Sequence, residues 1–450
     1  MIRRILFFLA AAAAMLAACT DDDGDFTTSS AAMLTFSTDT VKLDTVFTTV
    51  GSRTYDFWVY NHSGHGLRLS NVRLEHGNQT GFRVNVDGTY LDNTLGSQVS
   101  GLEVRSGDSL RVFVELTAPR NGLAEPLLIQ DRLLFSLESG RQQHVTLWGH
   151  AWDAIITDSL TVSNDTLIDT ATPIVIMRGL RVDSAATLTL RATTLYFHSK
   201  AGIDVYGTLL TDSVLLRGDR LDHLFPYLPY DRVSGQWRGL RFYSSSYDNR
   251  LVATEIRNAE DALLVDSAQL LTNRQRLYME RCVVHSSSGH GLQARNAWVG
   301  LLGCQFSNAG GDCLAFHGGA VAIDSCTVAQ FNVLGTGRGA ALRFTNYSGD
   351  YPCPLQQMLI TNTIVTGYDD DVVMGQTLEG DSVTPFAYHF EHSLMRTPAL
   401  EDTVNCRDII WETKDDSIQG EKHFRLVDSY NMLYDFHLDS LSTAHGMGCY

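Results

Sequence analysis

His290, Asp312 and Asp371 are residue types that glycosidic-bond chemistry uses, and each stands eight positions past an equivalent point of a recurring pattern, at Cys282, Cys304 and Thr363. Equal offsets within a repeat place side chains on one external corner. Hydrolysis of a glycosidic bond needs a proton donor and a second carboxylate about 5 to 9.5 Å away. Elimination from an acidic sugar needs a base instead, with a cation to neutralise the uronate. Asp369 and Asp370 extend the corner into a carboxylate ladder of the kind that could hold Ca²⁺, which takes about 6 to 8 oxygen ligands. Against elimination, no Lys occurs between Lys200 and Lys414, which leaves Arg281, Arg295 and Arg338 as the bases on offer. The same acids read as turn residues entering strands. That reading is preferred, with no metal or other cofactor required.

Binding asks less of a sequence. The stretch from Leu216 to Ser244 holds Tyr227, Tyr230, Trp237 and Tyr243, together with Phe225, Phe242, Asp222, Asp231 and Arg238. Aromatic faces beside carboxylates and guanidinium groups suit sugar rings, so these four residues are the glycan-binding candidates. The alternative is that the rings pack inward and cap the fold.

The elements that must position these residues follow from cysteine spacing. Cys282, Cys304 and Cys326 are 22 residues apart, and each is followed two residues later by an apolar partner, Val284, Phe306 or Val328. Alternation puts both members of a pair on one strand face. A Gly-rich break and a second apolar strand follow, and no helical period intervenes. Such a repeat reads as one coil of a parallel β-solenoid. Coils about 4.8 Å apart put the outer two thiols of the column too far apart to share a zinc. The cysteines, flanked by Thr254 and Thr363 at equivalent sites, are therefore expected as a buried ladder of small side chains. Cys313, Cys353, Cys406 and Cys449 remain, and among their open connectivities is a Cys406–Cys449 disulfide. Insertions around 269–274 and 347–355 should lie at coil corners.

Ahead of the solenoid, residues 34–153 show seven or so short alternating strands separated by turns such as Asn61-His62-Ser63-Gly64 and Asp87-Gly88. This predicts an antiparallel, immunoglobulin-like β-sandwich without a disulfide, with His62 and His65 as exposed turn residues. Residues 1–18 form an export signal: Arg3 and Arg4, an apolar run from Ile5 to Ala14, and a small-residue cleavage site. Residues 19–33, opening Cys19-Thr20-Asp21-Asp22-Asp23, read as a flexible acidic tether. The formal charge of −17 over 450 residues, with no basic stripe, argues against a nucleic-acid partner.

Leu16-Ala17-Ala18-Cys19 resembles the bacterial lipoprotein box. This implies a lipid on Cys19, a membrane as partner, and stable anchoring by several acyl chains. The acidic tract behind it is similar to the signal that sends lipoproteins of the Bacteroidetes to the outer face of the outer membrane, the periplasmic face being the alternative. Gly289-His290-Gly291 and Gly311-Asp312-Cys313 each resemble a piece of the polygalacturonase motif set, but in the wrong order and without its Arg-Ile-Lys. The segments Tyr230–Leu240 and Tyr434–Leu438, with Ser440–Gly446, resemble the opening and closing segments of β-helix lipoproteins of the Bacteroidetes, within the pectate-lyase-like superfamily. The resemblance implies an all-β protein: an immunoglobulin-like sandwich followed, over residues 154–450, by a right-handed parallel β-helix; an open solenoid end exposes unpaired backbone, and Phe424–Leu438 is expected to close this one. The function it implies is a lipid-anchored envelope protein whose β-helix contacts glycan or another envelope protein. A polysaccharide lyase or glycoside hydrolase, and a structural or adhesive surface protein, are the rivals.

Overall fold

A computed structural model describes residues 25–334 and 337–450; the export signal and Cys19 lie outside the described residues. The chain divides into two compact units, Met1–Asp153 and Ala154–Tyr450.

In the first unit two sheets share one apolar core. One sheet runs in the order Thr35–Phe36, Tyr55–Tyr60, Ser109–Leu116, Phe82–Val86, Thr89–Tyr90; the other runs Thr40–Phe47, Gln142–Trp152, Leu127–Leu137, Leu67–Leu74, Gln98–Val99. Alternate residues of each strand point inward, among them Phe57, Val59 and Val112 from the first sheet and Leu69, Phe135 and Leu147 from the second. One pairing departs from the antiparallel expectation: Thr40–Phe47 runs parallel to Gln142–Trp152. The tether expectation needs correction from Asp25 onward. Gly66 N–H donates to the Asp25 carbonyl at 2.8 Å and Thr27 N–H to that of Gly66 at 3.0 Å. The Phe26 ring meanwhile sits under the Arg68 guanidinium at 4.3 Å. An apolar ring with a cation over it and a short backbone ladder hold this segment against the sheet.

The second unit is a parallel β-helix, its 24 strands joined in one continuous sheet. Each coil contributes to three faces. On the first face Gly202–Val205, Gly239–Phe242, Leu263–Val265, Leu342–Thr345 and Val373–Gln376 stack in register with the openings of Leu292–Leu302 and Leu314–Asp324. The second face stacks Thr187–Arg191, Thr208–Asp212, Asn249–Val252 and Leu277–Glu280 with the ends of the same two long strands. The third stacks Thr194–Phe197, Leu215–Gly218, Glu255–Arg257, Val283–Ser287, Gln305–Ala309, Thr327–Gln330 and Ile364–Gly367. Between the second and third faces the chain turns on one left-handed residue per coil, at Ala192, Ser213, Ala253, Arg281, Gly303, Ser325 and Asn362, with φ between 44° and 59°. A single residue there reverses the pleat and turns the strand sharply while stacking is kept.

The cysteine column is present. Cys282 N–H points to Cys304 Sγ at 3.5 Å, Cys304 N–H to Cys326 Sγ at 3.3 Å, and Cys326 N–H to Thr363 Oγ1 at 3.2 Å. All three thiols are buried and free, as is Cys313; Cys353, Cys406 and Cys449 are also free thiols, so the Cys406–Cys449 bond is not formed. The Tyr347–Ser348/Tyr351–Pro352 hairpin and the 269–274 insertion both fall at the corner between the first and second faces.

Phe424–Leu438 lies elsewhere than expected. The solenoid's last strand is Cys406–Glu412, and the chain then turns back along the third face rather than over the end. Phe424, Phe436, Ala444 and Met447 pack on Ala329, Phe331, Ile364 and Leu394. Tyr450 Oη donates to Gln305 Oε1 at 2.8 Å, and Gly448 N–H donates to the Asn362 carbonyl at 2.7 Å. Outward residues that would otherwise meet water, such as Ser307 and Thr327, are buried beneath this strap.

Candidate functional site

Backbone register puts Asp261, His290, Asp312, Ala340 and Asp371 at one position of successive coils, two residues ahead of Leu263, Leu292, Leu314, Leu342 and Val373. His290 and Asp312 are therefore neighbours, while Asp371 lies beyond the coil of Ala340. Asp312 is 5% exposed and fully engaged. Arg343 Nε donates to its Oδ2 at 2.8 Å, and the Ala340 N–H donates to its Oδ1 at 2.8 Å. His290 Nδ1 accepts from the Asp312 N–H at 3.1 Å, and Asp261 Oδ1 accepts from the His290 N–H at 2.8 Å. Asp371 accepts from Thr397 Oγ1 at 2.8 Å, 26 residues further along the chain. Asp369 and Asp370 are bound by Arg338 and Arg396, so the carboxylates of the alternative ladder reading are divided among guanidinium groups. These acids brace turns. His317 on the same face is held below the usual imidazole range by burial and by nearby Arg295.

The four aromatic candidates are spoken for to different degrees. Trp237 must be withdrawn: it is fully buried, its ring stacked on Phe197 at 4.4 Å and its Nε1–H donating to the Arg257 carbonyl at 2.7 Å. Burying so large a ring at a corner of the solenoid outweighs any gain from leaving it to a ligand. Tyr243 stacks on Tyr206 at 4.1 Å, lies 4.9 Å from the Arg241 guanidinium and donates to Asp204 Oδ1 at 3.1 Å. Burial, then Tyr206 and Asp204, push its phenol up to about 12. Arg220 covers Tyr230 at 4.0 Å. Tyr227, half exposed, is the middle ring of a stack between Phe225 at 5.8 Å and Tyr430 at 5.4 Å.

A better-formed site lies on the second face. Asp248, Asn249, Arg250, Asn273, Gln275, Tyr278 and Trp298 line a hollow of about 420 Å³. Tyr278 and Trp298 project outward from adjacent coils, and both are partly exposed. Gly300 stands beside Tyr278 in register, and a Cβ there would come within 3.0 Å of the Tyr278 ring. Glycine thus lets the ring lie flat against the sheet. Arg250 crosses above it, 5.0 Å from the ring centroid, and donates to Glu280 at 2.8 Å; Arg274 donates to Asp248 at 2.7 Å. Partial burial, with Glu280 alongside, raises the Tyr278 phenol. With Arg250 over Tyr278, the aromatic surface left to a ligand is the partly exposed Trp298, and the amide, guanidinium and carboxylate groups at its rim let it take a sugar ring on its C–H face and bind the hydroxyls at the edge. The sequence carries no local signal for it, because the left-handed turn at Asn296 breaks the alternation that would place Trp298.

Among the described residues one group could offer a metal three ligand atoms, Glu75, His76 and Asp131. Asp131 already accepts from Thr80 Oγ1 at 2.7 Å and from the Arg132 N–H at 2.7 Å, and Glu75 from Arg132 Nε at 2.7 Å. The cluster is satisfied within the protein.

The strand pairing defines the class, an all-β protein carrying a parallel β-helix. No family model and no curated protein matches the sequence. Among solved structures, the catalytic unit of a GH87 α-1,3-glucanase from Streptomyces thermodiastaticus aligns over 80% of this chain and 89% of its own, at 9% identity and TM-score 0.24. A family 123 glycoside hydrolase from Clostridium perfringens aligns over 30% of each chain, at 7% identity and TM-score 0.20. The major pilin subunit BcpA of Bacillus cereus aligns over 29% of this chain and 44% of its own, at 9% identity and TM-score 0.17. Likenesses this faint carry no argument, and the fold rests on this chain's own register.

Proposed function

We propose that the chain is a lipid-anchored envelope protein of the Bacteroidetes β-helix type, whose solenoid binds glycan in the second-face cleft. The observation that carries the reading is the outward, partly exposed Trp298 in one hollow with Tyr278, rimmed by Arg250, Asn273 and Gln275. Binding is preferred to hydrolysis or elimination because Asp312, the buried acid of the His290 corner, is held by Arg343 and the Ala340 N–H and has no carboxylate partner within its turn.

The test is a glycan array, with a parallel depolymerisation assay, on protein lacking residues 1–24. Trp298→Ala and Tyr278→Ala should each weaken binding at least ~10-fold, about 1.4 kcal/mol, with unchanged circular dichroism. Full binding by both variants would refute the cleft. Product release that disappears in Asp312→Ala would replace binding by catalysis.

A further inference from the structure

The cleft at Trp298 has a companion. Thr189, Leu190, Arg191, Leu210, Thr211, Asp212, Arg250 and Val252 line a second hollow of about 320 Å³ on the same face, and Arg250 belongs to both. Register fixes how they are related. Thr189, Leu210, Arg250, Tyr278 and Gly300 occupy one outward position of five successive coils. Arg191, Asp212, Val252, Glu280 and Leu302 occupy the neighbouring one. The two hollows therefore follow each other along the solenoid axis, and Arg250, leaning towards Tyr278 and Glu280, forms the wall between them. Four steps of about 4.8 Å give a groove of roughly 19 Å, longer than one sugar needs.

Charge narrows the ligand. Arg250 is paired with Glu280, and Arg274 with Asp248. Arg281 is bound to Glu280 too, and Arg191 stands directly beside Asp212 in register. A uronate or sulfate would have to compete with a carboxylate for Arg250, Arg274 or Arg281, whereas hydroxyl groups can bond to those paired groups as they stand. Leu210, Val252, Tyr278 and Gly300 supply an apolar floor between the charged edges.

Resting on the glycan reading above, we infer that the ligand is a neutral, extended oligosaccharide lying along the solenoid axis through both hollows, with Arg250 at its middle. The Trp298 hollow holds one end, and the Leu210 hollow adds affinity only for chains long enough to pass Arg250.

Calorimetry with gluco-, manno- and xylo-oligosaccharides from disaccharide to hexasaccharide, and with oligogalacturonate as the anionic comparison, tests this on protein lacking residues 1–24. In the series that binds, the hexasaccharide should bind at least ~10-fold more tightly than the disaccharide, with little response to salt. Leu210→Trp, which fills the second hollow, should bring the hexasaccharide down to disaccharide affinity and leave the disaccharide unaffected. Thr189→Trp fills the same hollow should the first variant melt early. Equal affinity at every length, an undisturbed hexasaccharide in both filled variants, or a preference for oligogalacturonate would overturn the axial, neutral ligand while leaving a glycan cleft in place. Silence across the whole panel would remove both.

Discussion

Cys304 lies between Cys282 and Cys326 in a column that continues into Thr254 at one end and Thr363 and Ser393 at the other; Cys304, Cys326, Thr363 and Ser393 each accept from a neighbour's N–H, while the Cys282 thiol donates to the Leu251 carbonyl. Size is what this column selects. Cys304→Thr should cost less than about 1.5 kcal/mol, whereas Cys304→Leu, which must push apart coils packed to crystal-like density, should cost about 1–3 kcal/mol, read from urea unfolding. Hydrogen bonding to Cys304 and then burial raise the Cys282 thiol well above its ordinary value, and burial takes Cys313 up to about 12. Iodoacetamide should therefore label the partly exposed Cys353 and Cys406 long before the column. The column could be read from sequence because no insertion interrupts the 22-residue interval there. Trp298 could not. Asn296, with φ of 40°, turns the chain between Ala294 and Ala297, both inward, so alternation carried from Leu292 assigns Trp298 to the wrong side. Trp237 is a related case. It ends a long insertion whose other rings are partly exposed, and nothing local says that this ring alone enters the core.

At the scale of elements, the returning strap joins residues more than a hundred apart, so its partners have no signature in any short window. Gln305, Ser307 and Thr327 look like solvent-facing polar residues until Tyr450, Met447 and Gly448 cover them. Its root is a buried ion cluster. Glu412 is bound by Arg396, accepts from the Gly420 N–H at 2.6 Å and from Thr366 Oγ1 at 2.9 Å, and stands 3.3 Å from His423 Nε2. Burial alone would raise its carboxyl, but His423 and Arg396 hold it below the usual range. A depressed carboxylate stabilises the fold above its unfolded pKa of about 4.3 and loses that contribution as pH falls through the folded value. Glu412→Gln should cost about 3–5 kcal/mol at pH 7, because the buried Arg396 guanidinium loses its buried carboxylate partner. The gap between wild type and variant should then narrow as the pH is lowered below the carboxylate range. A constant gap from pH 7 to pH 3 would show that the cluster is not ionised as drawn.

For the whole molecule, the acidic balance and the Leu16-Ala17-Ala18-Cys19 box frame the proposal of an anchored surface protein. Cys19→Ala should leave full-length protein in the soluble fraction after cell lysis, while the wild type sediments with membranes and partitions into detergent. Sedimentation of the variant with membranes would overturn lipid anchoring and leave the glycan cleft untouched.

Coils of a solenoid ordinarily answer only to the turns next to them, so such a molecule frays from a free end one repeat at a time. Here Tyr450 is tied to Gln305 and Gly448 to Asn362, which clamps turns that are not adjacent. Tension applied at the C-terminus would meet a shear joint first, peeling Tyr450 to Phe424 from the flank, and only afterwards begin to unwind Cys406–Glu412. Loss of the last few residues by proteolysis would free that end and lower the force at which unravelling starts.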